Sequence, residues 1–265
     1  MRAYYWHTTF SLGSTMSKII QLSHTLANVG LICILALMIG QLLSCNSKES
    51  ALDITGHSDD SLKHPEANLE VPTESLPIPL RLAFMTGHVR AGIALYRAGE
   101  LKMAAPHLLH PVSETHRAER KGLEKLGFNS SLFNRVSLAL EANRPAIEIE
   151  PLLAEAEANL LIMESNAGGD KVSIIKFLLT SIADEYSLSM KDGELTDIGE
   201  YQDAYGFNQV AIEHARELPE NIRGDIVTAL QALEELWLQG PVPLDNPTPE
   251  MIVIDAVNVI LEKLQ

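Results

Sequence analysis

From Leu80 to Gln265 apolar side chains return at three- and four-residue spacing, the period of one face of an α-helix. The pattern predicts helices over 82–98, 101–110, 113–126, 130–142, 147–165 and 171–190. Three more follow over 197–218, from Pro219 to near Gly240, and over 250–264. Their limits carry chemical signals. Gly99 and Gly127 suit C-terminal caps, Asp170 suits an N-cap, and Asp197 or Thr196 suits another. Pro111 disfavours helical geometry at His110. Lys191-Asp192-Gly193 is a turn sequence, Gly168-Gly169 is a plain break, and Pro249 suits a first turn. No stretch of alternating β-branched residues competes. The expected fold is all-α, an antiparallel helical bundle of about seven to nine helices.

Upstream the pattern changes twice. The first 45 residues hold Arg2 and Lys18 and no acid, and Val29–Ile39 is almost unbroken apolar sequence. That run falls short of the roughly 20 residues of a membrane span and suits the core of a secretory signal, starting at Met1 or Met16. It leads into Leu42-Leu43-Ser44-Cys45, which resembles a bacterial lipobox. The resemblance implies cleavage before Cys45 and acylation of that cysteine, palmitate included. Asn46 in the next position goes with delivery to the outer membrane in such proteins. Residues 46–79 are polar and rich in Ser, Asp, Glu and Pro, too poor in apolar area to offset chain entropy. The expected organisation is a signal peptide over 1–44, an acylated cysteine and disordered tether over 45–79, and the helical domain over 80–265. The protein would sit on the periplasmic face of the envelope, anchored to the membrane by lipid.

Charge and cysteine content narrow the chemistry. The net charge of −15 argues against nucleic acid and against electrostatic docking on anionic lipid. With Cys33 inside the signal and Cys45 acylated, the domain has no thiol or disulfide chemistry. A metal site there must draw on His, carboxylate, Tyr or Met.

Four of the nine histidines, His88, His107, His110 and His116, lie between residues 88 and 116. His107-x-x-His110-Pro-x-x-Glu114 would place two imidazoles on one helical face, with Glu114 one turn beyond Pro111. That donor set suits Fe, Cu, Zn or Mn. His88 falls on an inward stripe with Met85, Gly92 and Leu95, and Gly87 and Gly92 allow a neighbouring helix close. Farther along, Glu185 shares an apolar stripe with Ile174, Leu178 and Ile182, while Glu200 and Asp203 share another with Phe207, Val210 and His214. Three carboxylates placed so must pair, take up protons or hold a cation. They form a second shell or second site, or else hydrogen-bond across helices or pair with arginine. Tyr201 and Tyr205 are candidate phenolic ligands or packing residues.

Two stretches carry resemblances. Gly87–Glu114 resembles exported bacterial helical proteins with a GH…LY..G…H..HP..E pattern. Ala183–Phe207, with Glu185-Tyr186, Gly193 and Glu200-Tyr201-Gln202-Asp203, is similar to the extracytoplasmic region of bacterial oxidase-dependent iron permeases. A looser likeness to imelysin-like iron-uptake proteins lacks their G-x-H-x-x-E order. The membrane helices of a permease, with R-E-G-x-E, are missing. The resemblance implies an extracytoplasmic part in handling iron, with copper or zinc as alternatives.

The expected function is therefore metal binding through His88, His107, His110 and Glu114, with Glu185, Glu200 and Asp203 behind them. It would serve metal uptake or delivery beside an envelope metal-transport protein. Affinity should fall as pH drops through about 6.5, since ligation needs neutral imidazole. The alternative is a structural lipoprotein whose acidic helical domain binds another envelope protein. An enzymatic role finds little support: there is no H-E-x-x-H, no G-x-S-x-G and no phosphate loop.

Overall fold

The computed structural model describes residues 76–113 and 117–265. The segment read as a signal peptide, Cys45, nearly all of the segment read as a tether, and Glu114 with His116 lie outside them. The fold is all-α, as the periodicity requires. Its helices are α1 (Ile78–Arg97), α2 (Leu101–Leu109), α3 (Arg117–Arg120), α4 (Ser130–Glu141) and α5 (Ala146–Ala167). After these come α6 (Lys171–Ser189), α7 (Ile198–Ala215), α8 (Glu220–Glu234) and α9 (Glu250–Lys263). No helix of the described residues is long and apolar enough to cross a membrane.

Two hydrophobic clusters share α1 as their common wall. Leu82, Met85, Val89 and Leu95 face one, with α2, α4 and α5; Ala83 and Phe84 face the other, with α6 to α9. Burial on both sides explains why α1 shows no polar stripe. Each fully buried Leu, Met or Val contributes roughly 1.5–3 kcal/mol. α1 also starts earlier than its apolar pattern, inside the segment read as tether. Pro77 takes the N-cap, and Pro79 sits in the first turn, where a missing N–H costs nothing.

The capping signals work as the sequence suggests. The Asp170 carboxylate accepts from Ser173 N at 2.8 Å, and that of Asp197 accepts from Gly199 N at 2.9 Å. Between α6 and α7 the turn sequence makes a two-stranded hairpin of β1 (Met190–Lys191) and β2 (Glu194–Leu195). Asp192 (φ 54°) and Gly193 (φ 83°) supply the two left-handed residues of a tight turn, and α6 and α7 fold back on each other.

Three expected spans are corrected. The helix over 113–126 is not continuous. Among its described residues it reduces to α3 and a 3-10 turn, Leu123–Leu126, because Gly122 adopts φ 91° between them. The helix from Pro219 stops at Glu234, and an extended stretch, Leu238–Pro241, follows with Gly240 at φ 61°. The helix expected over 197–218 ends at Ala215.

Candidate metal centre

α1, α2 and α7 converge on one carboxylate. Asp203 on α7 is buried, and its Oδ1 lies 2.7 Å from Nδ1 of His88 on α1 and 2.8 Å from Nδ1 of His107 on α2. The convergence depends on small residues where the helices cross. A Cβ on Gly206 would stand 2.2 Å from the Gly87 carbonyl oxygen, and one on Gly92 would stand 2.3 Å from Leu108 Cδ2. Phe84 and Phe207 then wall the His88 ring edge-on, at 4.8 and 5.2 Å between centroids.

A buried carboxylate is tolerated only with compensating charge or hydrogen bonds. Burial pushes the Asp203 carboxyl up, but the two imidazoles outweigh it and hold it well below the usual carboxylate range. Burial likewise disfavours charge on His107, yet Asp203, Gln202 and Glu200 together raise its pKa. On its other edge, His107 Nε2 meets Gln202 Oε1 at 2.8 Å.

Three donor atoms, one each from His88, His107 and Asp203, lie within 4.8 Å of one another. Donors around an ion at about 2.1 Å stand roughly 3.0–3.4 Å apart. The two nitrogen–oxygen contacts, 2.7 and 2.8 Å, would lengthen by a few tenths of an ångström if a cation took the place of protons there. Two imidazoles and a carboxylate suit Fe, Zn or Mn. A cleft of about 520 Å³ adjoins them, lined in part by Met103, His107, His110, Thr196, Gln202 and Asp203.

The site is assembled differently from the linear motif. His107 and His110 do not share one helix, because α2 ends at Leu109 and tightens into a 3-10 turn, His110–Val112. His110 instead stacks on His88, with centroids 3.4 Å apart and planes 16° from parallel. Asp203, read as part of a separate acidic group, stands at the centre. Glu114 lies outside the described residues.

Glu185 and Glu200 satisfy each other across α6 and α7. Burial, then the hydrogen bond and charge of Glu200, push the Glu185 carboxyl up to about 11, so it carries a proton and donates it to Glu200. Tyr201 and Tyr205 pack in an aromatic group with Tyr186 and Trp237. His214 faces the Lys171 ammonium at 3.1 Å, and burial together with that charge lowers its pKa to about 4. Gln202 stands in the Glu200-Tyr201-Gln202-Asp203 segment but is assigned no role from the sequence. The available signal was an uncharged polar residue beside Asp203 on a helix buried nearly all round.

No curated protein and no solved structure matches the chain. One family model does, over residues 164–265: the Iron permease-associated 4-helix bundle domain. Its span holds α6, α7, α8 and α9 in full, the helices that close the second cluster against α1. It supports the similarity to iron permeases read from residues 183–207. Asp203, Gln202, Glu185 and Glu200 fall inside the matched region, whereas His88 and His107 come from helices that precede it. Residues 164–265 of this chain thus resemble a domain associated with iron permeases, and the donor set joins that domain to the helices before it.

Proposed function

We propose that this protein binds a transition-metal ion, iron above all, through His88, His107 and Asp203, and serves metal uptake or delivery in the bacterial envelope. The observation that carries the reading is the meeting of two buried imidazole nitrogens on one buried carboxylate oxygen, beside an open cleft. Two imidazoles and one carboxylate, brought together from three helices, are a donor set suited to a transition metal, and three protein donors leave positions open for water or an arriving ligand.

Iron is favoured over zinc or copper by the match to an iron permease-associated domain. His110, stacked on His88 at the cleft, completes the imidazole group, and Glu185 with Glu200 supports α7 behind it. Acylation of Cys45 would tether the domain to the membrane, with an envelope metal-transport protein as its partner.

Elemental analysis of the chain purified from bacterial envelopes tests this reading. The wild type should carry close to one equivalent of iron or another transition metal. The His88→Ala/His107→Ala double variant, shown folded by circular dichroism, should carry almost none. Equal metal content in the two proteins would remove these residues from the site. A metal-free wild type that also takes up none on dialysis would favour the alternative, a lipoprotein that binds another envelope protein.

A further inference from the structure

We infer that Gln202 is a positioning residue: by accepting the Nε2 proton of His107 it holds the ring so that an ion is taken only at Nδ1. The inference rests on the metal-binding reading and adds the atom through which His107 acts. Gln202 is buried at 3 %, and its Oε1 lies 2.8 Å from His107 Nε2. Its amide orientation has an independent cause, for Gln202 Nε2 donates to Met103 Sδ at 3.5 Å. A thioether can only accept, so the NH₂ group turns to the sulfur and the carbonyl turns to the ring. A carbonyl has no proton to give, so the hydrogen between them belongs to Nε2.

Asp203 Oδ1, at Nδ1, is also an acceptor. Both edges of the ring therefore face acceptors. An arriving cation can take a ring nitrogen without breaking the Gln202 contact only at Nδ1, where Asp203 and His88 supply the other donors. Metal-bound histidines are oriented in this way when the second ring nitrogen donates to an outer partner. Met103 is half-exposed at the cleft, so the chain of contacts from sulfur to amide to imidazole begins at the surface through which an ion would enter.

The test uses the full-length chain in detergent, labelled with ¹⁵N-histidine, with zinc as the probe. With one equivalent of Zn²⁺, His107 should show a metal-bound Nδ1 and a protonated Nε2. Gln202→Leu should weaken zinc binding by roughly 10–100-fold. Gln202→Glu, which keeps an acceptor, should restore it to within a few-fold. Zinc on Nε2, or a leucine variant that binds as tightly as wild type, would overturn the inference. Metal-free protein supplies a readout that does not depend on the metal. A resolved Nε2–H signal that is lost to solvent exchange in Gln202→Leu upholds the contact, and a signal unchanged in the variant refutes it. Should wild type take no zinc, the metal reading fails, and the metal-free spectra alone decide what Gln202 does.

Discussion

Replacing Gly206 with alanine should pry α1 from α7 and take the candidate metal centre with it. The added Cβ would stand 2.2 Å from the Gly87 carbonyl oxygen, 2.8 Å from Ala91 N and 2.9 Å from Ala91 Cβ. Ordinary carbon–oxygen contacts begin near 3.3 Å, so the helices must part by about 1 Å. The groups in the way are mainly backbone and cannot rotate aside, which puts the cost near the upper end of overpacking, about 3 kcal/mol. Exchange of a helical glycine for alanine returns about 1 kcal/mol, leaving a net loss of about 2 kcal/mol. For a domain of this size that lowers the melting temperature by roughly 4–8 °C. The 2.7 Å contact between His88 and Asp203 spans the same crossing and would open past hydrogen-bonding distance. Thermal unfolding followed by circular dichroism measures the first effect, and zinc titration the second. Gly224 on α8 provides the control, because a Cβ there meets nothing within 4 Å. Gly224→Ala should raise the melting temperature by roughly 2–4 °C and leave zinc binding unchanged. A Gly206→Ala protein that melts at or above the wild-type temperature would refute the close-crossing argument.

Two further predictions concern pH. The Glu185 carboxyl, raised from 4.5 to about 11, keeps a proton in the folded state that the unfolded chain loses, so stability falls as pH rises through that interval. Glu185→Gln should flatten the decline between pH 6 and pH 9 in urea midpoints; parallel curves for the two proteins would show that Glu185 holds no extra proton. His214, lowered from 6.5 to about 4, contributes stability at and above pH 6.5 that is lost as pH falls toward 4. His214→Gln should remove that acid-side loss in the same assay, and an unchanged slope from pH 6.5 to pH 4 would count against it.

Helix positions were legible because each helix buries a face and the caps are local. Asp170, Asp197 and the Asp192-Gly193 turn act through neighbours three residues away or fewer, which a linear reading captures. Over 113–126 the same reasoning failed: the apolar spacing continues, but Gly122 takes a left-handed conformation and divides the segment. The site was legible in its parts and not in its assembly. His88 and Asp203 each stood out as a polar group on an apolar face, yet they are 115 positions apart in the chain and their contact belongs to tertiary packing. His107 and His110 read as a pair because they stand three positions apart, on one face of a helix. The 3-10 turn at His110 changes that direction and sends its ring onto His88. Glu185 and Glu200 were legible as carboxylates needing partners, and their shared proton is one of the solutions such burial allows.

The central claim is that one ion sits among His88, His107 and Asp203. Anaerobic titration with Co²⁺, read by its visible ligand-field bands, tests it most directly. The account predicts a spectrum of nitrogen and oxygen ligation that saturates at one equivalent in the wild type and does not develop in folded Asp203→Asn. Identical cobalt spectra in the two proteins, or no bands in the wild type at any ratio, would contradict it.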